Sequence, residues 1–256
     1  MPDLFSLKGK VAIITGGNGG IGKGIARGFA SVGASIVIAA RNEAKTAEAV
    51  KEIEEDFGVR ALGVKVDVRD EAQVQAMVKK ALDTFGKIHI LVNNAGMNIR
   101  RRPEDYTVAE WDEVVNTDLR SAFICSKAVY PALKAAGYGR IINIGSMTSI
   151  FSGEKLAAYS ASKGGIVQLS RSCAIAWAKD NINVNTILPG WIDTELTRQA
   201  RKEIPGLEER VIARTPKGRW GVPEEVAGAA IFLASPAADF ITGVALPVDG
   251  GFSVMI

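Results

Sequence analysis

Short apolar runs and longer segments with helical spacing take turns along almost the whole chain. Val11–Thr15 (VAIIT) leads through a glycine-rich turn into a helical pattern over Ile21–Val32. Ser35–Ala39 precedes Asn42–Phe57, Val59–Val66 precedes Glu71–Phe85, and Ile88–Asn93 precedes a helical stretch around Trp111–Ala136. Arg140–Ile144 comes before Ala157–Ala178, and Ile182–Leu188 before a polar, irregular segment. A last helix over Pro223–Leu233 leads into Val244–Val248. The strand runs lack polar alternation, as strands covered by helices on both faces do. Crossovers of helical length join parallel strands. The pattern predicts an α/β fold: a doubly wound, Rossmann-like parallel sheet of about seven strands with helices on both faces.

No linker-like or low-complexity tract interrupts the series, so residues 1–256 read as a single domain. One segment departs from the rhythm. Pro189, Gly190, Pro205, Gly206, Pro216, Gly218 and Gly221 fall among charges between Leu188 and Pro223. It follows the C-terminal end of a strand, where open α/β sheets bind ligands. A substrate lid within residues 189–222 is one expectation; a plain surface excursion is the other.

Composition narrows the function by exclusion. The chain carries 31 Lys+Arg against 28 Asp+Glu, a net charge of +3, and the basic residues gather in no block. That disfavours a nucleic-acid partner. Two cysteines, Cys125 and Cys173, offer no C-x-x-C spacing, which disfavours a disulfide scaffold or zinc site and suits a reducing, cytoplasmic setting. A single histidine, His89, rules out a multi-histidine metal site, and its place in an apolar run points to packing. No metal is expected. No apolar run approaches the ~18 residues of a membrane span, and MPDLFSLKGK lacks a signal peptide's hydrophobic stretch, so neither membrane insertion nor export is expected.

Thr15-Gly16-Gly17-Asn18-Gly19-Gly20-Ile21-Gly22 closes the first strand and opens the first helix. In that position Gly16 serves the tight turn, Gly20 admits a pyrophosphate, and Gly22 lets helix and strand pack closely. The phosphate would face helix N–H groups and the positive end of the helix dipole. An acidic residue about 20 positions on would bind the ribose 2′-OH of NAD. Here Ala40 stands at that place, followed by Arg41. A guanidinium beside a neutral residue suits a 2′-phosphate, with Asn18 as a further donor, so NADP(H) is favoured and NAD(H) remains possible.

Tyr159 and Lys163 are one helical turn apart and share a face. Free tyrosine titrates at about pH 10, and moving that by about three units takes roughly 4 kcal/mol of phenolate stabilisation. A lysine ammonium one turn away is a source of it. Ser146, 13 residues before Tyr159, can hydrogen-bond a carbonyl or hydroxyl oxygen. It lies in Ile-Gly-Ser-Met-Thr, which lacks the Gly-x-Ser-x-Gly nucleophile elbow of a hydrolase. One arginine of Arg100-Arg101-Arg102, with Arg101 the first choice, could bind a substrate carboxylate or phosphate.

Together these motifs resemble the short-chain dehydrogenase/reductase family in its form of about 250 residues. The likeness spans the chain: the Gly-x-x-x-Gly-x-Gly loop, Asp67-Val68, Asn93-Asn94-Ala95-Gly96, Ser146, Tyr159-x-x-x-Lys163, Pro189-Gly190 and Asp249-Gly250-Gly251 occur in the family's order. It implies an NAD(P)-dependent oxidoreductase moving hydride between nicotinamide and a secondary alcohol or ketone. Tyr159 would be the acid/base, Lys163 its electrostatic support and a ribose ligand, and Ser146 the substrate's anchor. Gly16, Gly20 and Ile21 would hold the pyrophosphate and Asp67 and Val68 the adenine. Asn94, Ala95 and Gly96 would hold the ribose side, and Ile192 and Thr194 the nicotinamide amide.

The chain departs from the family at one position. Trp111 plus seven is Asp118, where the family has an asparagine thought to hold a relay water through its backbone carbonyl. Asn116 is about 200° around the axis and cannot replace it. Asp118 beside Lys163 would raise the lysine's pKa and partly neutralise its field at Tyr159. Asn-Asn-Ala-Gly followed by Arg101-Arg102, and Arg219-Trp220-Gly221-x-Pro223, look most like gluconate- and deoxygluconate-type sugar-acid dehydrogenases. The alternatives are a 3-oxoacyl-thioester reductase (acyl carrier protein or CoA) and a non-catalytic dinucleotide sensor or scaffold. A homotetramer is the family's expectation.

Overall fold

The computed structural model describes residues 3–255. Seven strands form one sheet: β1 (Val11–Thr15), β2 (Ser35–Ala40), β3 (Ala61–Lys65), β4 (Ile90–Asn93), β5 (Gly139–Ile144), β6 (Ile182–Pro189) and β7 (Ala245–Val248). Every pairing is parallel, in the order β3-β2-β1-β4-β5-β6-β7. Nine helices surround it among the described residues: α1 (Gly20–Ser31), α2 (Glu43–Phe57), α3 (Glu71–Phe85), α4 (Val108–Val115), α5 (Ser121–Ala136), α6 (Ala157–Trp177), α7 (Glu195–Glu203), α8 (Leu207–Arg214) and α9 (Pro223–Ala234).

The unbroken apolar runs have a direct cause. In β1, Ala12 and Ile14 pack in one core with Ile25 and Phe29 of α1 and Val226 and Ala230 of α9. Val11 and Ile13 lie in a second core with Val74 and Met77 of α3 and Ile124 and Val129 of α5. Successive side chains of a strand point to opposite faces, so a strand buried on both needs apolar residues throughout.

The expected elements differ by more than one residue in four places. β3 is Ala61–Lys65 rather than Val59–Val66, and β4 begins at Ile90 rather than Ile88. The helix expected around Trp111–Ala136 starts at Val108 and is interrupted by a π-helical turn over Asn116–Arg120. The segment expected to be irregular holds two helices, α7 and α8. Thr194 caps α7 in a reciprocal capping box with Thr197, and Ala200, Leu207, Val211 and Trp220 bury one another in a small core of their own. No helix among the described residues is long and apolar enough to cross a membrane, and no group of three or more His, Cys, Asp or Glu there could hold a metal.

His89 is a packing residue, as expected. It is buried ahead of β4, and its Nδ1 accepts the Val11 N–H at 3.1 Å. Burial, reinforced by Lys10 and Lys87, pulls its pKa down to about 4. The native state therefore holds it neutral while an unfolded chain binds a proton near pH 6.5. Its contribution is complete above that pH and is lost as the pH falls towards 4. His89→Asn keeps an acceptor but has no proton to gain. Between pH 7 and 5 the wild type should lose about 1–2 kcal/mol more than this variant in urea unfolding. Equal losses would rule His89 out as the cause.

Candidate active site

β1 lies between β2 and β4, so the chain winds outward in opposite directions on its two sides. That switch opens a crevice at the strands' C-terminal ends. A cleft of about 570 Å³ occupies it, lined by residues that follow β1 to β6.

The glycine loop forms the floor. Gly16 turns the chain at φ +65° and Gly20 opens α1 at φ +50°, conformations that glycine adopts without strain. The N-cap of α1 is Gly19, which has no side chain to bond the first-turn N–H groups. Those donors and the helix dipole are left for an anion. Gly22 differs from expectation. A β-carbon there would stand 2.4 Å from both the Gly16 carbonyl oxygen and the Asn94 Nδ2, so its bareness lets the helix close onto the loop rather than onto a strand.

Thr15, given no role by the sequence, braces this arrangement. Its Oγ1 accepts the N–H groups of Asn94 and Ala95 at 2.9 and 3.0 Å. Asn94 Nδ2 in turn donates to the carbonyls of Thr15 and Gly16 at 3.0 and 3.2 Å. Asn93 points inward instead, donating to Asn143 Oδ1 at 2.8 Å. Thus Asn94, Ala95 and Gly96 reach the cleft while Asn93 ties β4 to β5.

At the far end, Ala40, Arg41, Asp67 and Val68 line the cleft. Arg69 grips Asp67 with its Nη2 at 2.6 Å and its Nε at 3.0 Å, holding that carboxyl below the usual aspartate range. Each carboxylate oxygen has a second lone pair, so Asp67 can still accept from a ligand. Asn18 lines the cleft too, and its amide donates to Thr46 Oγ1 at 3.0 Å, which anchors the glycine loop to α2. Lys45, in the first turn of α2, also lines this end. A helix lysine is by default a solvated charge, and nothing in the sequence distinguishes it.

The chemical end lies after β5. Ser146, Tyr159 and Lys163 line one stretch of cleft together with Asp118, Ile192 and Thr194. The Lys163 Nζ stands 5.4 Å from the centre of the Tyr159 ring and donates to the Ile144 carbonyl at 3.0 Å. Ser149 fixes this corner, since its Oγ donates to the Lys163 carbonyl at 2.7 Å. The π turn carries Thr117 and Asp118, but not Asn116, to the cleft wall.

Asp118 is buried, at 1% exposure. Its Oδ1 accepts the Met97 N–H at 2.7 Å, and its Oδ2 lies 3.3 Å from the Lys163 Nζ. Burial pushes the Asp118 carboxyl above the ordinary aspartate range, against the pull of Lys163 and Met97. Burial works to depress the Lys163 ammonium, yet Asp118 and Tyr159 outweigh it and hold that ammonium above the ordinary lysine range.

The arginine run does not meet this site. Arg101 lies outside the lining residues, its Nη2 3.3 Å from Glu110, and Arg102 pairs with Glu104 and Glu154, each at 2.8 Å. Their carboxylate partners come from α4 (Glu110) and from neighbouring connections (Glu104 and Glu154), and the cleft wall is built without Arg101. The remaining residues fit a dinucleotide. An uncapped helix N-terminus stands at the middle, a guanidinium and a carboxylate at one end, and a tyrosine–lysine pair at the other.

Comparison with known proteins agrees with this geometry. A family model described as "Enoyl-(Acyl carrier protein) reductase" matches residues 16–253. The 2-dehydro-3-deoxy-D-gluconate 5-dehydrogenase of Formosa agariphila is 42% identical over 256 residues, covering 99% of this chain and 96% of the relative. The enzyme of the same name from Dickeya dadantii is 40% identical over 251 residues, covering 98% of each. Among solved structures, a gluconate 5-dehydrogenase from Burkholderia cenocepacia in complex with NADP and tartrate superposes with a TM-score of 0.94 at 39% identity, covering 99% of both chains.

Proposed function

Because the chain belongs to the short-chain dehydrogenase/reductase family, we propose that its cleft interconverts a secondary alcohol and a ketone on a sugar acid or similar small polyol, with NADP(H) as the dinucleotide. It is an NAD(P)-dependent oxidoreductase acting on CH–OH groups. The observation that carries the reading is the convergence of Ser146, Tyr159 and Lys163 on the cleft that the glycine loop floors.

When bound, the nicotinamide supplies or accepts the hydride. In the reductive direction Tyr159 gives its hydroxyl proton to the substrate oxygen, and in oxidation it takes that proton back. Ser146 hydrogen-bonds the same oxygen and fixes which face meets the cofactor. Lys163 stabilises the phenolate through its charge and reaches the ribose hydroxyls. Asp118 holds that ammonium in place, and its backbone carbonyl serves the proton relay.

Asp118→Asn should leave turnover unchanged or raise it modestly. An asparagine Oδ1 can still accept the Met97 N–H, while the negative charge beside Lys163 is gone. A loss of tenfold or more, about 1.4 kcal/mol in the barrier, in a variant that binds cofactor and melts normally would make Asp118 a working acid or a substrate ligand.

NADP(H) is supported by Arg41 at the rim and by the NADP carried by the Burkholderia relative. A sugar-acid substrate is supported by relatives aligned over nearly the whole chain, although the matching family model is described as an enoyl-(acyl carrier protein) reductase, whose reaction is at a carbon–carbon double bond. A panel of keto-acids, uncharged ketones and 3-oxoacyl thioesters, run with both cofactors, tests the reading. Turnover confined to thioesters would replace it with 3-oxoacyl-thioester reduction, and none at all would leave a dinucleotide sensor. Residues 189–222, with α7 and α8, form the lid of this reading. The reading includes a homotetramer, supported by the exposed Phe123 of α5 and Ile175 of α6; a stable monomer in light scattering at micromolar concentration would refute it. It also includes a cytoplasmic setting, supported by two free thiols.

A further inference from the structure

Lys45 leaves the first turn of α2 and enters the cofactor cleft. Its Nζ stands 3.4 Å from where a β-carbon on Gly19 would be. The ammonium therefore lies within contact distance of the bare cap of α1. Arg41 and Asn42 border the same end, and Asn42 Oδ1 accepts the Lys45 N–H at 3.0 Å. Arg41 and Lys45 thus both line the cleft from one short stretch of backbone that follows β2. The Lys45 Nζ meets Glu195, the first residue of α7, at 2.8 Å. Both side chains are well exposed, at 44% and 86%, and such pairs contribute little net stability. A doubly charged phosphate competes strongly for an ammonium held so loosely.

Because Lys45 and Arg41 both line the cleft and the Lys45 Nζ is held, among the described residues, only by an exposed carboxylate, we propose that Lys45 is a second cation of the 2′-phosphate subsite, exchanged from Glu195 to the phosphate when NADPH binds. This rests on the NADP(H) reading above. Glu195 is then a competitor built into the lid: it keeps Lys45 near the cleft and opposes the phosphate's claim on it. The pyrophosphate has its own donors in the uncapped N–H groups of α1, so the selective effect of Lys45 belongs to the 2′-phosphate.

The test is fluorescence titration of NADPH and NADH into the full-length protein and its Lys45→Met, Glu195→Gln and doubly substituted forms. Lys51→Met removes the same charge from α2 outside the cleft and sets the baseline for long-range attraction. Lys45→Met should raise the NADPH dissociation constant tenfold or more beyond that baseline while moving NADH less than threefold. Glu195→Gln should tighten NADPH two- to fivefold, and that gain should vanish in the double variant. Equal losses for both cofactors, no loss beyond the baseline, or a Glu195→Gln gain that persists without Lys45 would each overturn the proposal. The wild-type preference is read first. No preference for NADPH there removes the NADP(H) reading itself, whereas a clear preference that Lys45→Met leaves intact refutes the role of Lys45 alone.

Discussion

Replacing Tyr159 with phenylalanine should lower turnover by about 10²–10⁴-fold while leaving the affinity for cofactor within a few-fold. The phenyl ring retains the packing of Tyr159 at the start of α6, and only the ionisable hydroxyl is lost. Lys163 keeps its hydrogen bond to the Ile144 carbonyl and its contact with Asp118, so the floor of the site is undisturbed. The loss should therefore fall on kcat, with cofactor titration and melting temperature close to wild type. A variant retaining more than a tenth of the wild-type rate would show that another group delivers the proton.

Arg41→Ala should raise the dissociation constant for NADPH about 10- to 100-fold and change that for NADH little. A charge-assisted contact to phosphate contributes about 1.5–3 kcal/mol, which corresponds to that range. The side chain stands exposed at the rim of the cleft, so its removal leaves no cavity and should not alter stability. Ala40→Asp, one residue earlier, should push selectivity the same way: a carboxylate there repels a 2′-phosphate and accepts from a 2′-hydroxyl. Equal weakening of both cofactors by Arg41→Ala would mean that the guanidinium stacks on adenine without reading the phosphate.

The parallel sheet was legible because β1, β2 and β4 are mostly Val, Ile, Leu and Ala, almost wholly buried, and a glycine follows the C-terminal ends of β1, β5 and β6. The same regularity placed the glycine loop and the Tyr159–Lys163 face at one edge of the sheet. Where the reading stopped, the cause is physical. The π turn is a change of backbone register at Asn116–Arg120, and no residue type in NTDLR announces it. The helices α7 and α8 carry so many charges that their apolar sides are only a few residues wide. Their burial depends on Trp191 and Trp220 from outside the helices. The Arg101 pairing was not legible because its partner Glu110 comes from a helix nine residues on, and a charge run cannot say which neighbour will claim it. Lys45 was invisible for the converse reason: its importance depends on the missing side chain of Gly19, far away in sequence.

The small core of the 189–222 segment has an optical consequence. Trp191 and Trp220 meet edge to face with ring centres 5.3 Å apart, and the Arg201 guanidinium lies 4.4 Å from the centre of the Trp220 ring. They are two of only four tryptophans in the chain. The other two, Trp111 and Trp177, lie on α4 and α6. Emission from Trp191 and Trp220 is set by their mutual contact and by the cation over one of them. If α7 and α8 move as a unit on ligand binding, this emission should barely change. If the segment instead unpacks, it should shift to the red as Trp220 becomes wet. A Trp111→Phe/Trp177→Phe protein would thus report on the state of this segment with no added dye.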